Sequence, residues 1–347
     1  MNKAVQTNLF EDIESGVDAK NNMVQPDNIK PIALTEEESI KLKTEVSDYV
    51  CSLVGRENVI LEDTLTLPSG SELDIYVPSC NYAVEFNGLY FANELYKGKK
   101  DHLSLTLECE KNGIRLFHLF EDEWRDNQNV VKSMLANALH KNANKIFARK
   151  CKIREVPQCE AKLFINESHI QGYCNSSYRY GLYYNDELVS IMTFGKHRFR
   201  KKQHDNDIYE LLRFCNKKGT SVVGGAGKLL SHFIKTFKPS KIISYADRRY
   251  SVGNLYEKLG FSKYNESEPS YFYVIDGERH YRFTYRKDVL ISKYGCTEEE
   301  TEHGFCLKNK WYRVYDCGCL CYDMIFNKEA ENKEQINNVN EQKEDKG

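Results

Sequence analysis

Apolar residues recur along this chain at two spacings, and the switches between them mark its elements. In TEEESIKLKTEVSDYVCSL, Ile40, Val46, Val50 and Leu53 fall on one helical stripe behind an acidic first turn and a polar cap at Thr35, predicting a helix over 36–53. LEDTLTL and ELDIYVP, joined through PSG, predict two short strands, and NYAVEFNG a third that ends at a glycine. A polar helical stretch near 98–112 precedes GIRLFHLFEDEW, whose almost continuous apolar run reads as a strand buried on both faces with acids at its end. Val131, Met134, Leu135 and Ala138 then predict a helix over 127–140. This order describes a compact α/β unit.

A second unit opens near 151. KCKIREVPQCEAKLFINESHI predicts a strand and a helix, and RYGLYYNDELVSIMTF a hairpin turning at Asn185-Asp186. YELLRFC reads as a strand, GGAGKLLSHFIKTFKP as a glycine-rich loop opening a helix, and KIISYADRRY as a further strand. NLYEKLGF predicts a short helix stopping at Gly260, and PSYFYVI and HYRFTY two closing strands. The domain reading is an N-terminal arm over 1–35, units over 36–150 and 151–290, a strand-rich extension over 291–327 and a polar tail over 328–347.

Composition changes this picture at three points. A chain of 347 residues with 41% hydrophobic and 12% aromatic residues can bury two cores, and no apolar run approaches the length of a membrane span, so a cytoplasmic protein without a membrane partner is expected. The 12 Cys are scattered, which favours reduced thiols. Cys296, Cys306, Cys317, Cys319 and Cys321 could hold zinc, but C-x-C-x-C alternation suits a strand face better than a zinc knuckle. The net charge of −2 hides an excess of base: fourteen Lys and Arg lie between 195 and 250 against four acids, so a polyanion such as DNA is an expected partner. Arg213, Lys228, Arg248 and Arg249 are the candidate phosphate contacts.

The first candidate chemistry lies on the early strands. Asp74 closes one strand and Glu85 sits on the next, with Asn87 on the same strand face as Glu85. Paired strands would bring the two acids together as oxygen ligands for Mg2+ or Mn2+, and His102 would serve as general base or donate a hydrogen bond to the phosphate. Solvated strand ends and a surface histidine are the plain alternative. The ordered segments ELDIYVPSCNYAVEFNGLYFANE, DHLSLTLECEKNGIRLFHLFEDEW and VKSMLANALH resemble phage-associated homing endonucleases whose nuclease fold is similar to the very-short-patch mismatch-repair endonuclease. That resemblance implies a restriction-endonuclease-like domain, catalytic roles for Glu45, Asp74, Glu85, Asn87 and His102, and metal on Asp74 and Glu85. The chain departs from that pattern at Ala92 and Leu105, where a histidine and a lysine are expected, so a DNA-binding protein that no longer cuts is the rival reading. Trp124 reads as a core or inter-unit anchor.

The second candidate chemistry is Val222-Val223-Gly224-Gly225-Ala226-Gly227-Lys228, whose glycines let backbone amides crowd an anion at a helix N-terminus. It is not a nucleotide-triphosphatase loop, because Leu229 follows the lysine. With SYADRRYSVGNLYEKLGF, this half resembles the acyl-CoA-dependent N-acetyltransferase (GNAT-like) mixed α/β fold. The resemblance implies that Gly224, Gly225, Gly227 and Lys228 meet a pyrophosphate and that Asn254 and Tyr256 flank the acyl thioester of acetyl-CoA. His169 and Gln171, after the helix, are further substrate candidates. The leading expectation is a metal-dependent DNA endonuclease of a phage-infected bacterium, with the second unit assisting DNA binding. An N-acyltransferase acting on a nucleic acid, protein or small amine is the alternative.

Overall fold

The computed structural model describes residues 36–196 and 207–326. The predicted arm, the predicted tail, and Arg198, Arg200, Lys201 and Lys202 of the basic run lie outside the described residues.

Helix α1 (Glu36–Val54) is followed by strands β1 (Ile60–Asp63), β2 (Leu73–Val77) and β3 (Tyr82–Asn87), helix α2 (Asp101–Lys111), strand β4 (Arg115–Phe120) and helix α3 (Glu121–Ala138). The strands form one sheet in the order β1-β2-β3-β4, antiparallel except for the β3–β4 pair. Strand alternation sorts β3 between two faces. Tyr82, Val84 and Phe86 join Val46, Val50, Val131 and Leu135 in the core under α1 and α3, while Ala83 packs with Cys109 and Leu116 on the α2 side. Glu85 and Asn87 share the parity of Ala83 and so face α2. Gly88 ends β3 where a Cβ would stand 1.9 Å from Ser39 Oγ of α1, so the glycine of E-F-N-G is demanded by helix packing.

The acids read at the end of β4 are the first turn of α3. The Glu123 carboxylate accepts from the Phe120 amide at 3.1 Å, and three acids complement the positive end of the helix. The sequence stripe over 127–140 catches only the part beyond a kink at Asn127.

The larger sheet runs β12-β16-β11-β9-β8-β7-β6. Its members are β6 (Lys152–Glu155), β7 (Tyr178–Tyr184), β8 (Glu187–Lys196), β9 (Ile208–Asn216), β11 (Lys241–Asp247), β12 (Ser262–Glu266) and β16 (Cys319–Ile325). Asn185 and Asp186 both take positive φ, the hairpin turn that the sequence predicts. Helix α4 (Gln158–Ser168) covers one face with Ala161 and Ile165 against Ile191 and Cys215. Helix α5 (Gly225–Phe237) covers the other, with Phe233 stacked on Phe194 at 3.6 Å. Strand β10 (Thr220–Val223) pairs with β5 (Asn144–Phe147) and leads into α5, and α6 (Asn254–Lys258) follows β11. This half is a mixed α/β fold in which β9–β11 is the one parallel pair of the large sheet among the described residues.

A third sheet, β14-β13-β15, carries β13 (Tyr271–Ile275), β14 (Glu278–Tyr281) and β15 (Tyr312–Tyr315), with α7 (Lys287–Tyr294) and α8 (Glu302–Lys308) between β14 and β15. It docks on the first unit through Arg279, which meets Asp122 at 2.9 Å and Glu123 at 2.8 Å. Arg249, after β11, meets Glu123 at 2.7 Å and Asp247 at 2.8 Å, with its guanidinium buried. Trp124 is buried, as expected, and donates to Glu45 at 3.2 Å.

Candidate functional site

Two places gather the residues that the sequence singles out. The first is a cleft of about 670 Å3 on the α2 face of the small sheet, lined among others by Asp74, Glu85, Asn87, Phe91, Lys97 and His102. Asp74 Oδ1 holds Lys43 Nζ at 2.6 Å, and its Oδ2 accepts the Phe86 amide at 2.7 Å. Burial and then the charge of Asp74 push the Glu85 carboxyl up to about 8, so it keeps its proton near neutrality. Burial pushes the His102 imidazole down to about 4. Asn87 Nδ2 lies 3.4 Å from His118 Nδ1, and His118 Nε2 lies 2.9 Å from Thr106 Oγ1.

The fold thus brings Asp74, Glu85, Asn87 and His102 together but leaves Glu45 on the far side of the sheet, under the Trp124 indole. It also corrects the chemistry expected of them. A Mg2+ or Mn2+ site on Asp74 and Glu85 requires two carboxylates free to ligate. Here one is neutralised by Lys43 and the other is a neutral acid. Among the described residues no group of three or more His, Cys, Asp or Glu side chains is placed to hold a metal ion, the C-terminal cysteines included. No disulfide joins those cysteines, and Cys317 and Cys321 are buried.

The second place is a wedge in the large sheet. Strands β9 and β11 pair only from Lys241–Ile208 to Ile243–Glu210, after which each stays bonded to its outer neighbour, β8 or β16. Beyond Glu210 the facing backbone edges therefore separate. Ser244 closes the apex, donating to the Leu211 carbonyl at 2.9 Å, and lies 3.1 Å from the Tyr256 hydroxyl. Tyr256 stacks on Tyr322 with ring centroids 4.9 Å apart. Burial raises the Tyr256 phenol, which therefore holds its proton at neutral pH.

The glycine run forms the turn into α5. Gly224 takes φ +76, and a Cβ on Gly225 would crowd Val222 at 3.1 Å. The Lys228 amide bonds back to the Gly224 carbonyl at 3.1 Å, which leaves the amides of Gly225, Ala226 and Gly227 without an acceptor inside the helix. This is a fitting cradle for a diphosphate. Lys228 does not overhang it: its ammonium holds the Ala148 and Cys151 carbonyls at 2.9 and 2.6 Å. Asn254 lies exposed at the start of α6. At the wedge's other face, Arg213 donates to the Gly172 carbonyl at 3.0 Å, Gln171 to Asp247 at 3.1 Å, and burial lowers His169 to about 3. Arg248 and Arg249, candidate phosphate contacts by sequence, are buried among carboxylates, with Arg248 on Glu110 and Glu266.

Sequence reasoning missed Lys43 and Ser244. A hydroxyl breaking the apolar run of KIISYAD was a usable signal for Ser244. Lys43 had none, because only the packing of α1 against the sheet brings it to Asp74.

Residues 150–341 match the model of the Mom protein family. Solved structures similar to this chain include an acetyltransferase of Bacillus subtilis in complex with CoA, at 15% identity over 51% of this chain and 100% of that one, TM-score 0.30. A GNAT family acetyltransferase of Elizabethkingia anophelis with acetyl-CoA bound gives 16% identity over 51% and 99%, TM-score 0.30. The ribosomal-protein-S18-alanine N-acetyltransferase of Escherichia coli gives 10% over 50% and 93%, TM-score 0.30. No curated protein matches. The family match, with the lack of a metal-holding group among the described residues, overturns the expectation of a phage-type homing endonuclease that cuts DNA with Mg2+. The matched family begins at residue 150, so the very-short-patch-repair-like reading of the small sheet gains no support. No helix among the described residues is long and apolar enough to cross a membrane.

Proposed function

This chain belongs to the Mom protein family, and from that premise we propose that its second unit is an acyl-CoA-dependent N-acyltransferase. The observation that carries the reading is the parting of β9 from β11 beside the glycine-opened N-terminus of α5. An extended donor with a diphosphate at one end needs both features: unpaired strand edges for its amide-bearing arm, and free amides for its phosphates.

Bound acyl-CoA would supply a thioester, an acyl group activated for transfer to nitrogen with release of a thiol. The chain's own residues supply the rest. The amides of Gly225, Ala226 and Gly227 hold the diphosphate, aided by the positive end of the helix. Tyr256, beside Ser244 at the apex, carries the proton that the departing sulfur takes up. His169, Gln171 and Arg213 border the face where the acceptor amine approaches. DNA is the proposed acceptor, drawn by the exposed lysines Lys217, Lys235 and Lys238.

The test is transfer of label from radioactive acetyl-CoA to duplex DNA, to a basic peptide and to a small amine in parallel. Label on at least one acceptor is expected, with Tyr256→Phe slowing transfer roughly a hundredfold or more while acetyl-CoA still binds. A protein that neither binds acetyl-CoA nor labels any acceptor would sink the reading.

A further inference from the structure

The cleft of the first unit plays no part in the acyl-donor reading, yet it holds buried groups without partners. His102 is 4% exposed and its Nε2 makes no hydrogen bond. The other ring nitrogen is turned to the Ala92 backbone carbonyl. A nitrogen facing a carbonyl carries the ring's proton, so Nε2 keeps an unused lone pair just beneath the wall of the cleft that His102 lines. Oε2 of Glu85, on the neighbouring strand, is equally buried and unpartnered. Such atoms cost stability unless something meets them. Both are acceptors or become so on losing a proton. A partner for either must be a donor.

Asp74 names the kind of donor. The chain's own ammonium, Lys43 Nζ from α1, already sits at 2.6 Å on this carboxylate of the cleft wall. Around the rim stand Glu72, Asp101 and Glu108 against Lys97, an acidic balance that repels anions. Tyr90, Phe91 and Tyr96 pack on one another with centroids 4.8 to 5.7 Å apart, and Phe91 lines the opening, offering ring faces to an alkyl chain or a cation. One unpaired carboxyl and one imidazole fall short of the oxygen set that a divalent ion requires, whereas an ammonium is satisfied by two or three acceptors.

We propose that this cleft is a binding site for an organic cation, a primary alkylammonium such as the end of a lysine side chain or of a free polyamine. The ligand's ammonium donates to Glu85 and to His102 Nε2, with its alkyl chain leaving past Phe91. Glu85 gives up its proton to solvent as the ammonium arrives, so binding near neutral pH releases a proton.

Calorimetric titration of the full chain tests this with n-butylammonium, Nα-acetyl-lysine amide and spermidine, using n-butanol as the uncharged counterpart. Saturable binding of the ammonium ligands but not butanol is expected, with an enthalpy at pH 7 that depends on the buffer's ionisation heat. Glu85→Gln weakens binding roughly ten- to a hundredfold, whereas Lys43→Met, which frees a second carboxylate, tightens it. The second variant keeps the test decisive where the first fails to fold. The strongest ligand, lysine amide or spermidine, identifies whether the ammonium comes from a protein side chain or a free amine. Equal binding of butanol, no binding at millimolar ligand, or competitive displacement by millimolar Mg2+ would overturn the proposal. None of these readouts depends on acyl transfer, so its failure and that of the acyltransferase reading are distinguishable.

Discussion

The cleft of the small sheet and the wedge of the large one are opposite solutions to recognition. The cleft is built from ionisable side chains, and burial has reset their charges: Glu85 is raised to about 8 and His102 lowered to about 4. The wedge is built mainly from backbone, from strand edges that part and amides that a helix leaves over. Side-chain sites change meaning with each neighbour, as Lys43 does by neutralising Asp74. Backbone sites keep theirs, because an amide's polarity does not titrate.

The contrast is most sharply broken at the point where the two halves join. Arg249 is buried between Glu123 of the first unit and Asp247 of the second. Arg249→Leu takes the guanidinium from Asp247 and leaves the buried Glu123 with Arg279 alone, and a loss of about 3 kcal/mol is expected in urea unfolding. Loss of a single cooperative transition would mean that the halves are joined chiefly by this network. A change under about 1 kcal/mol would show that apolar contacts alone unite them.

A smaller effect separates the two kinds of site by pH. Glu85 has a folded value near 8 against an ordinary 4.5, so the folded state binds the extra proton, and its contribution to stability falls as pH rises from about 4.5 towards 8. Glu123 is the reverse. The guanidinium groups of Arg279 and Arg249 overcome its burial and hold it near 2, so its contribution is complete above about 4.5 and is lost as pH falls towards 2. His102 and His169, which burial holds down to about 4 and about 3, add stability as pH rises to about 6.5, so stability measured by unfolding from pH 3 to 9 should peak near pH 6.5, and Glu85→Gln should flatten the fall above it. An unchanged alkaline slope in that variant would show that Glu85 is not the group responsible.

The smallest change in stability is expected at the wedge. Gly227 has room for a side chain, since a Cβ there would meet only Leu259 at 3.8 Å. Gly227→Asp puts a carboxylate in the first turn of α5, which favours the helix by up to about 1 kcal/mol while repelling a diphosphate. Tenfold or greater loss of acetyl-CoA affinity without loss of thermal stability is the expected pair of results. Retained affinity would place the phosphates elsewhere.

The difference between the regions also explains what the sequence could tell. Elements with strong periodicity were legible: α1, the Asn185-Asp186 hairpin, and α5 behind its glycines all lie where the spacing puts them. The start of α3 was not, because Glu121, Asp122 and Glu123 read equally as a strand's polar end until the bond from Phe120 to Glu123 closes a helical turn. Asp74, Glu85 and His102 were legible as neighbours, since strand parity and register bring them to one cleft. Their chemistry was not, because it is set by Lys43 and by desolvation, neither of which spacing encodes. Arg248 and Arg249 failed for the same reason: a pair of arginines in a basic stretch looks like a phosphate face until partners from distant segments enclose it.

The place of β16 in the large sheet has a consequence for how the protein is made. Residues 319–325 lie between β11 and β12, two strands synthesised more than fifty residues earlier. During translation β11 therefore presents an open edge of unpaired amides and carbonyls until residue 325 has cleared the ribosome. A ribosome that stalls before that point releases a chain with a sticky strand, which chaperones must shield or proteases remove. Completion of the sheet thus waits on a strand made more than fifty residues after β12.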